Sequence, residues 1–370
     1  MSEYVMPNGQ SFDDPIPSDN NIGEYELKRK IKRSYNWAGG IMLLQLVFAL
    51  AVQFAIQIPY QVKLTMEYIS EHGSITDTEA FNAWIMPFFE DGLYLIAVNT
   101  VVYLVANLLC FFIGSKVSKN LFPAKMFSKG KLSAKDCGLC IAAVVGLQGV
   151  SMLIQFAMMT ITKTSAMNET MAAMASFSDD ILKNVIMVFY FVIVAAVTEE
   201  LLCRGVMMKF LSPVNKSFAL IASALMFGLM HGNFAQIFNG VLLGLVLGYA
   251  AMKSGSLKLS IACHMAANTN AMLLGAIEHF LPEQAGMIEL IYAVVLAVLA
   301  VVAIITLLKR NGWVNNNDGY EEEEKLEIAP EKTKELTWKL LLKSWTFWVF
   351  TAMYIFTAIM LLTPVTEMMQ

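Results

Sequence analysis

Charge is what this chain is short of. Only 15% of its 370 residues are Asp, Glu, Lys or Arg, against 57% hydrophobic, where a soluble domain carries about 25% charged residues. The solvent such a chain fits is lipid. An excess of either sign is lacking too: 26 basic and 30 acidic residues leave a net charge of −4, which offers nucleic acid no basic surface. Cysteine is sparse. Cys110, Cys137, Cys140, Cys203 and Cys263 lie within or at the edge of apolar runs, where a membrane helix accepts cysteine as small, weakly polar filler, and no disulfide framework follows. Cys137 and Cys140 form one CxxC with neither a second CxxC nor a βαβ setting around it, so filler is the expectation there as well. No internal repeat is visible. The first 33 residues are polar and end in a basic stretch, with no short apolar run before a small-residue cleavage site; the first helix is expected to stay in the mature protein.

What is present is a series of long uncharged runs. A bilayer core needs about 20 apolar residues per helix. Residues 34–62, 92–115, 137–162 and 344–366 are uncharged throughout, and 290–308 is a run of Val, Leu, Ala and Ile. The interval 217–252 is long enough for two passes and is interrupted at His231, Gly232 and Asn233. Residues 256–277 form another helix, and a further one starts after Ser178 and two aspartates, a capping sequence, and runs over about 181–210. The expectation is an all-α, polytopic transmembrane bundle of about nine helices.

Short basic loops stay in the cytoplasm. Lys28, Arg29, Lys30, Lys32 and Arg33 put the N-terminus there; six lysines in 116–135, then Lys209 with Lys216, Lys253 with Lys258, and Lys309 with Arg310 mark each alternate loop as inside. The other loops, 63–91, 164–180 and 278–289, hold mostly Glu and Asp. His72 and His279 fall in these outside loops and are given no chemistry. The organisation expected is a polar cytoplasmic segment 1–33, two helices and a basic loop in 34–134, a catalytic membrane core in 135–310, an acidic cytoplasmic linker in 311–342 with Glu321 to Glu324 and Pro330, and a last helix in 343–370. An integral protein of a bacterial plasma membrane is the expected location, since no organelle signal is seen.

Ionisable side chains at mid-membrane cost about 2.5–3.5 kcal/mol each on insertion scales, so they are rare without a reason. Here they are concentrated: Glu199, Glu200, Arg204, His231 and His264 lie inside expected helices, with Asn268 beside them. Counted from the cytoplasmic helix ends at 1.5 Å per residue, Glu199 lies about 16 Å deep, His231 about 22 Å, His264 about 12 Å and Asn268 about 18 Å, one layer within the error of helix ends. Glu200 with Arg204 and His264 with Asn268 are i,i+4 pairs, so each pair shares a helix face. Phe227 lies one turn before His231, placed to pack its ring. A glutamate with a histidine can deprotonate water, and a histidine with an asparagine can donate to a tetrahedral oxyanion. That inventory suits peptide hydrolysis inside the bilayer.

Three motifs carry a resemblance. Glu199-Glu200-Leu201-Leu202-Cys203-Arg204 resembles the EExxxR motif of the CPBP (Abi) family, the CAAX prenyl proteases and bacteriocin-processing enzymes related to the Ras-converting type II CAAX endopeptidase. Phe227-Gly228-Leu229-Met230-His231 resembles its FxxxH motif and His264-Met265-Ala266-Ala267-Asn268 its HxxxN motif, in the family's order and on separate helices. The resemblance spans about 135–310. It implies that Glu199 and His231 activate water, that His264 and Asn268 form the oxyanion site, and that Glu200 and Arg204 support them. No cofactor is expected. The family has also been described as metalloproteases, and Glu199, His231 and His264 could ligate zinc with a water as fourth ligand; the absence of an HExxH motif favours metal-free glutamate catalysis.

The expected function is an intramembrane endopeptidase whose partners are the bilayer and a peptide precursor or membrane-associated protein, with no nucleic acid. The alternative is a membrane protein that acts by binding, in bacteriocin self-immunity or sensor-kinase regulation, with its catalytic residues dispensable. A proton-coupled transporter is a third reading, weakened because no paired broken helices or repeated halves are visible.

Overall fold

The structure is a computed structural model that describes residues 19–118, 126–162, 175–232, 234–320 and 330–360. Helix α1 runs over Asp19–His72, α2 over Thr78–Glu90, α3 over Gly92–Val117 and α4 over Ala134–Thr162. A continuous α5 spans Ile181–Leu211, followed by α6 (Lys216–Leu229), α7 (Phe234–Ser254), α8 (Leu257–Phe280), α9 (Pro282–Asn311), a short α10 (Pro330–Lys334) that runs into a π turn at Glu335–Lys339, and α11 (Trp345–Met360). No strand occurs among the described residues.

Side-chain caps start these helices where the local sequence supplies them. Asp180 accepts from Leu182 N (2.8 Å) and Lys183 N (3.2 Å) and so opens α5. Asp77 does the same for α2, Asp91 for α3 and Asn215 for α6, each satisfying backbone donors that the first turn leaves open. The breaks between α6 and α7 and between α7 and α8 each use a glycine at positive φ, Gly232 (59°) and Gly255 (64°), a conformation that costs glycine no Cβ clash. The long uncharged interval 217–252 is therefore two helices; Asn233 lies outside the described residues.

Six helical stretches are long and apolar enough to cross a bilayer among the described residues: Gly23–His72, Gly92–Val117, Ala134–Ala157, Ile181–Leu211, Gln236–Ser254 and Pro282–Asn311. Lys216–Leu229 and Trp345–Ala358 are apolar but shorter. Among the described residues, the uncharged intervals read from the sequence are helical apart from the turn at 230–232 and the ends at Ser256 and Ser344.

Close packing between helices rests on small residues, as it does where lipid removes the hydrophobic drive for helix association. A Cβ on Gly146 would lie 2.5 Å from the Ala300 backbone nitrogen, and one on Gly149 would strike the Ala293 carbonyl, so α4 and α9 touch backbone to backbone. Gly244 meets Ala224 in the same way between α7 and α6. A polar chain crosses this part of the bundle: Tyr292 on α9 donates to Asn270 Oδ1 (2.6 Å), Asn270 donates to Gln148 Oε1, and Gln148 donates to the Ala267 carbonyl (2.7 Å).

The basic segments gather at one end of the molecule. Ser34 donates to the Phe210 carbonyl (2.7 Å), Lys131 N donates to Ser254 O (2.8 Å), and Arg310 pairs with Asp136 (2.6 Å). The opposite end holds α2, with Tyr68, Phe81, Trp84 and Phe88 in successive ring contacts, and the Asp179–His279 contact at 3.8 Å. Three sequence expectations change here. Residues 63–91, read as a loop, contain the end of α1 and all of α2; His72 and His279 are helical, and His72 stacks on Tyr68 at 4.2 Å. The 311–342 segment is not simply solvated, because 312–320 binds the bundle and Tyr35 donates to the Leu336 carbonyl (2.9 Å). Its acidic block at 321–324 lies outside the described residues.

Candidate active site

Glu199 and Glu200 sit between two π turns of α5, Phe189–Ala195 and Leu201–Met207. A π turn inserts one residue into the helix and resets the faces on either side of it, and such turns recur at functional sites. Both carboxylates are buried, Glu199 at 6% exposure and Glu200 at 0%. Adjacent residues on a helix cannot face the same way, so the two take different partners.

Glu200 takes the cation. Arg204, 1% exposed, donates from an Nη to Glu200 Oε1 at 2.7 Å, and its other Nη donates to the Gly244 carbonyl at 3.3 Å. The guanidinium also lies 4.2 Å over the Phe227 ring, a cation–π contact strengthened by desolvation. His264 donates from Nδ1 to the same Glu200 oxygen at 3.1 Å, which turns its Nε2 toward Glu199 Oε2 at 3.9 Å. That separation exceeds a direct hydrogen bond and suits a group held between the two.

Phe227 links the two histidines. His231 and His264 each meet its ring edge to face, at 5.0 and 5.8 Å between centroids. His231 Nδ1 lies 2.8 Å from the Phe227 carbonyl; a carbonyl only accepts, so Nδ1 carries the proton and Nε2 of the neutral ring is left as an acceptor. Asn268 donates from Nδ2 to the Phe191 carbonyl at 2.7 Å, on the first π turn of α5. One amide hydrogen and the amide oxygen of Asn268 are not used by that bond.

The six residues singled out in the sequence thus fall on α5, the α6–α7 turn and α8. Glu199, Glu200, Arg204 and His264 form a contiguous buried cluster, His231 joins it through Phe227, and Asn268 anchors α8 to α5 one turn along. Among the described residues no group of three or more His, Cys, Asp or Glu is arranged to hold a metal ion. Glu199, His231 and His264 as arranged do not fit a ligand set, and no step below passes through a metal.

Sequence reading missed Asn107 on α3. It is fully buried and donates to Thr198 Oγ1 at 2.9 Å, next to Glu199. It also missed Tyr103 and Tyr190, whose rings meet edge to face at 5.7 Å. The signal was there: Asn99, Tyr103 and Asn107 repeat every four residues in an otherwise apolar run, one polar stripe on α3.

The model of the type II CAAX prenyl endopeptidase Rce1-like family matches residues 181–270. No curated protein and no solved structure matches the chain. All six candidate residues lie within the matched segment, which extends from the first residue of α5 into α8. Residues 181–270 are thus similar to the Rce1-like type II CAAX prenyl endopeptidase family.

Proposed function

We propose that the protein is an intramembrane endopeptidase in which Glu199 is the general base. The observation that carries the reading is the convergence of buried Glu199 on α5, buried His264 on α8 and the part-buried, Phe227-held His231 of the α6–α7 turn, with a carboxylate and an imidazole facing each other at 3.9 Å. On this reading Glu199 takes a proton from a water that attacks the scissile carbonyl, with the acceptor Nε2 of His231 assigned to help activate it. His264 donates from Nε2 to the developing oxyanion; because its Nδ1 proton is committed to Glu200, this requires the imidazolium, whose charge Glu199 and Glu200 flank. Asn268 supplies the second donor with its remaining amide hydrogen. The proton then passes to the leaving amine. Arg204 neutralises Glu200, so Glu199 is the carboxylate left for chemistry.

The basic end of the bundle is the cytoplasmic end on this reading, and α6, α8 and α11 complete nine crossings with the six long apolar stretches. α8 is too polar to qualify on composition because it carries His264 and Asn268 on the face toward α5 and Asn270 on the face toward α4 and α9. The substrate is a peptide precursor or a membrane-associated protein. Glu199→Ala in reconstituted vesicles should insert normally and lose cleavage of a fluorogenic peptide library by at least about a hundredfold, the lower range for a general base. Wild-type turnover by that variant would sink the assignment. One observation favours the alternative that the protein acts by binding in immunity or sensor-kinase regulation: an Asn268 amide already bonded to Phe191 is only half available as an oxyanion donor. Complementation of the cellular phenotype by Glu199→Ala and His231→Ala separates the two, since a binding role survives both.

A further inference from the structure

The uncharged runs 34–62 and 344–366 stand at opposite ends of the sequence, and the structure sets their basic flanks at one level. Ser344 donates to Asn36 Oδ1 at 2.7 Å, and Thr346 donates to the Asn36 carbonyl at 2.9 Å. A Cβ on Gly39 would lie 2.7 Å from Thr346 Oγ1, so α1 and α11 approach closely where their apolar surfaces begin. On the basic side of that level, the chain from Pro330 to Lys343 runs alongside the first turns of α1. Lys332 pairs with Glu24 at 2.7 Å, Lys28 with Glu335 at 2.8 Å, and Tyr35 donates to the Leu336 carbonyl at 2.9 Å, while Leu336, Leu340 and Leu341 are buried.

This seam uses up the acids. Glu24 takes Lys28 (2.9 Å) as well as Lys332, and Glu335 takes Lys28 from the other side. What faces outward is basic: Arg29, Arg33, Lys334, Lys339 and Lys343 are exposed, with Glu26 as an exposed acid beside them. Among the described residues, none of the five cations has a carboxylate within 4.0 Å. Arg29 and Arg33 lie one turn apart, and Arg33 lies one turn before Asn36, so they share the α1 face that meets Ser344; Lys339 and Lys343 lead into Ser344 from the other segment. Next to them Leu342, Trp345 and Trp348 are 49%, 63% and 51% exposed. Tryptophan at the end of an apolar helix sits at headgroup level.

We propose that the basic flanks of α1 and of Pro330–Lys343 form one surface that holds anionic phospholipid headgroups of the adjoining leaflet. A negatively charged leaflet attracts basic segments that lie next to a membrane helix, and here two such segments are locked side by side. Two observations select a lipid over a soluble polyanion. The cations border the level at which the apolar surfaces of α1 and α11 start, and the exposed side chains next to them are two indoles and a leucine, which suit the boundary between headgroup and acyl chain rather than water. The surface is separate from the candidate active site and does not depend on the peptidase reading.

The test reconstitutes the full-length protein in bilayers of equal parts phosphatidylcholine and phosphatidylglycerol, with one or the other lipid brominated on its acyl chains. Quenching of Trp345 and Trp348, isolated by subtracting the fluorescence of the Trp345→Phe/Trp348→Phe protein, reports which lipid lies against them. Brominated phosphatidylglycerol should quench more strongly than brominated phosphatidylcholine at low salt, and the difference should shrink in 1 M salt, where the screening length falls to about 3 Å. Lys334→Gln/Lys339→Gln/Lys343→Gln and, separately, Arg29→Gln/Arg33→Gln should each lower the preference, by up to about fivefold for each cation lost. Lys63→Gln, at the other end of α1, should leave it unchanged. The salt series uses the wild-type protein, so a variant that fails to fold does not remove the test. Equal quenching by the two lipids at low salt overturns the proposal, as does a preference that survives both sets of substitutions. A preference that emerges only when Glu321 to Glu324 are changed to Gln overturns it too, since the chain's own acidic block would then be the occupant.

Discussion

Arg204 makes the most demands of any side chain in the site. It is buried, it pairs with Glu200, it donates to a backbone carbonyl on α7, and it covers the Phe227 ring. Removing one partner of a buried pair leaves the other charge uncompensated, at about 3–5 kcal/mol. Arg204→Ala should therefore destabilise the fold by about that amount, seen as a large drop in melting temperature in detergent. Arg204→Lys should recover little of it, because an ammonium cannot span Glu200 and Gly244 O while stacking on Phe227. If Arg204→Lys melted like wild type, the arginine would be serving as a charge alone. At this scale the sequence was informative about identity and poor about partners. The i,i+4 spacing gave the Glu200–Arg204 pair outright, whereas nothing in the letters said that Asn268 would bond to Phe191, a carbonyl on a π turn that the letters did not announce.

Helix α5 shows what periodicity can and cannot reveal. Its start was legible from Ser178, Asp179 and Asp180, and Asp180 is the cap. Its two π turns were not, because an inserted residue leaves an apolar run apolar. Helix α2 was overlooked because aspartates and glutamates on both sides of Phe81, Trp84, Phe88 and Phe89 read as an outside loop, although Asp77 was a usable cap. The α4–α9 contact is likewise invisible until the partner is known: Gly146 and Gly149 then become the reason the two helices meet. Gly149→Leu should wedge them apart, at about 1–3 kcal/mol if it behaves like other overpacked sites, and should break the Gln148–Asn270–Tyr292 chain beside it. Thermal unfolding would detect this, and an unchanged melting temperature would mean that the contact is looser than the backbone distances indicate. Since Gln148 holds the carbonyl of Ala267, the same variant should lower cleavage by tilting α8.

At the scale of the molecule, the N- and C-terminal helices form a second layer on the matched segment. Tyr354 of α11 donates to Gln45 of α1 at 3.1 Å and lies against Gly232, beside His231. Ser344 and Thr346 hold Asn36, and Lys28 pairs with Glu335 at 2.8 Å. Between these layers, residues 312–320 run across the basic end. Ser217 donates to Val314 O (2.6 Å), Tyr249 to Gly312 O (3.1 Å), Gly319 N to Met252 O (2.8 Å) and Tyr320 to Arg204 O (3.4 Å), while Lys253 pairs with Asp318 at 2.9 Å. Breaking this run with Asp318→Ala and Tyr320→Ala should raise hydrogen exchange around residues 204–211 and 249–255 by local opening, with α4 and α9 unaffected. Equal protection in both proteins would show that the run contributes nothing to closure.

The hydrogen bond from Tyr320 to the arginine's own carbonyl gives the tail a bearing on chemistry. A stretch of chain far from the catalytic letters in sequence is stitched to the floor beneath them, on the side where a water-soluble peptide would otherwise arrive. If the peptidase proposed above is right, a protein shortened to end at Asn311 should lose this cover and cleave water-soluble peptides faster than the full chain does.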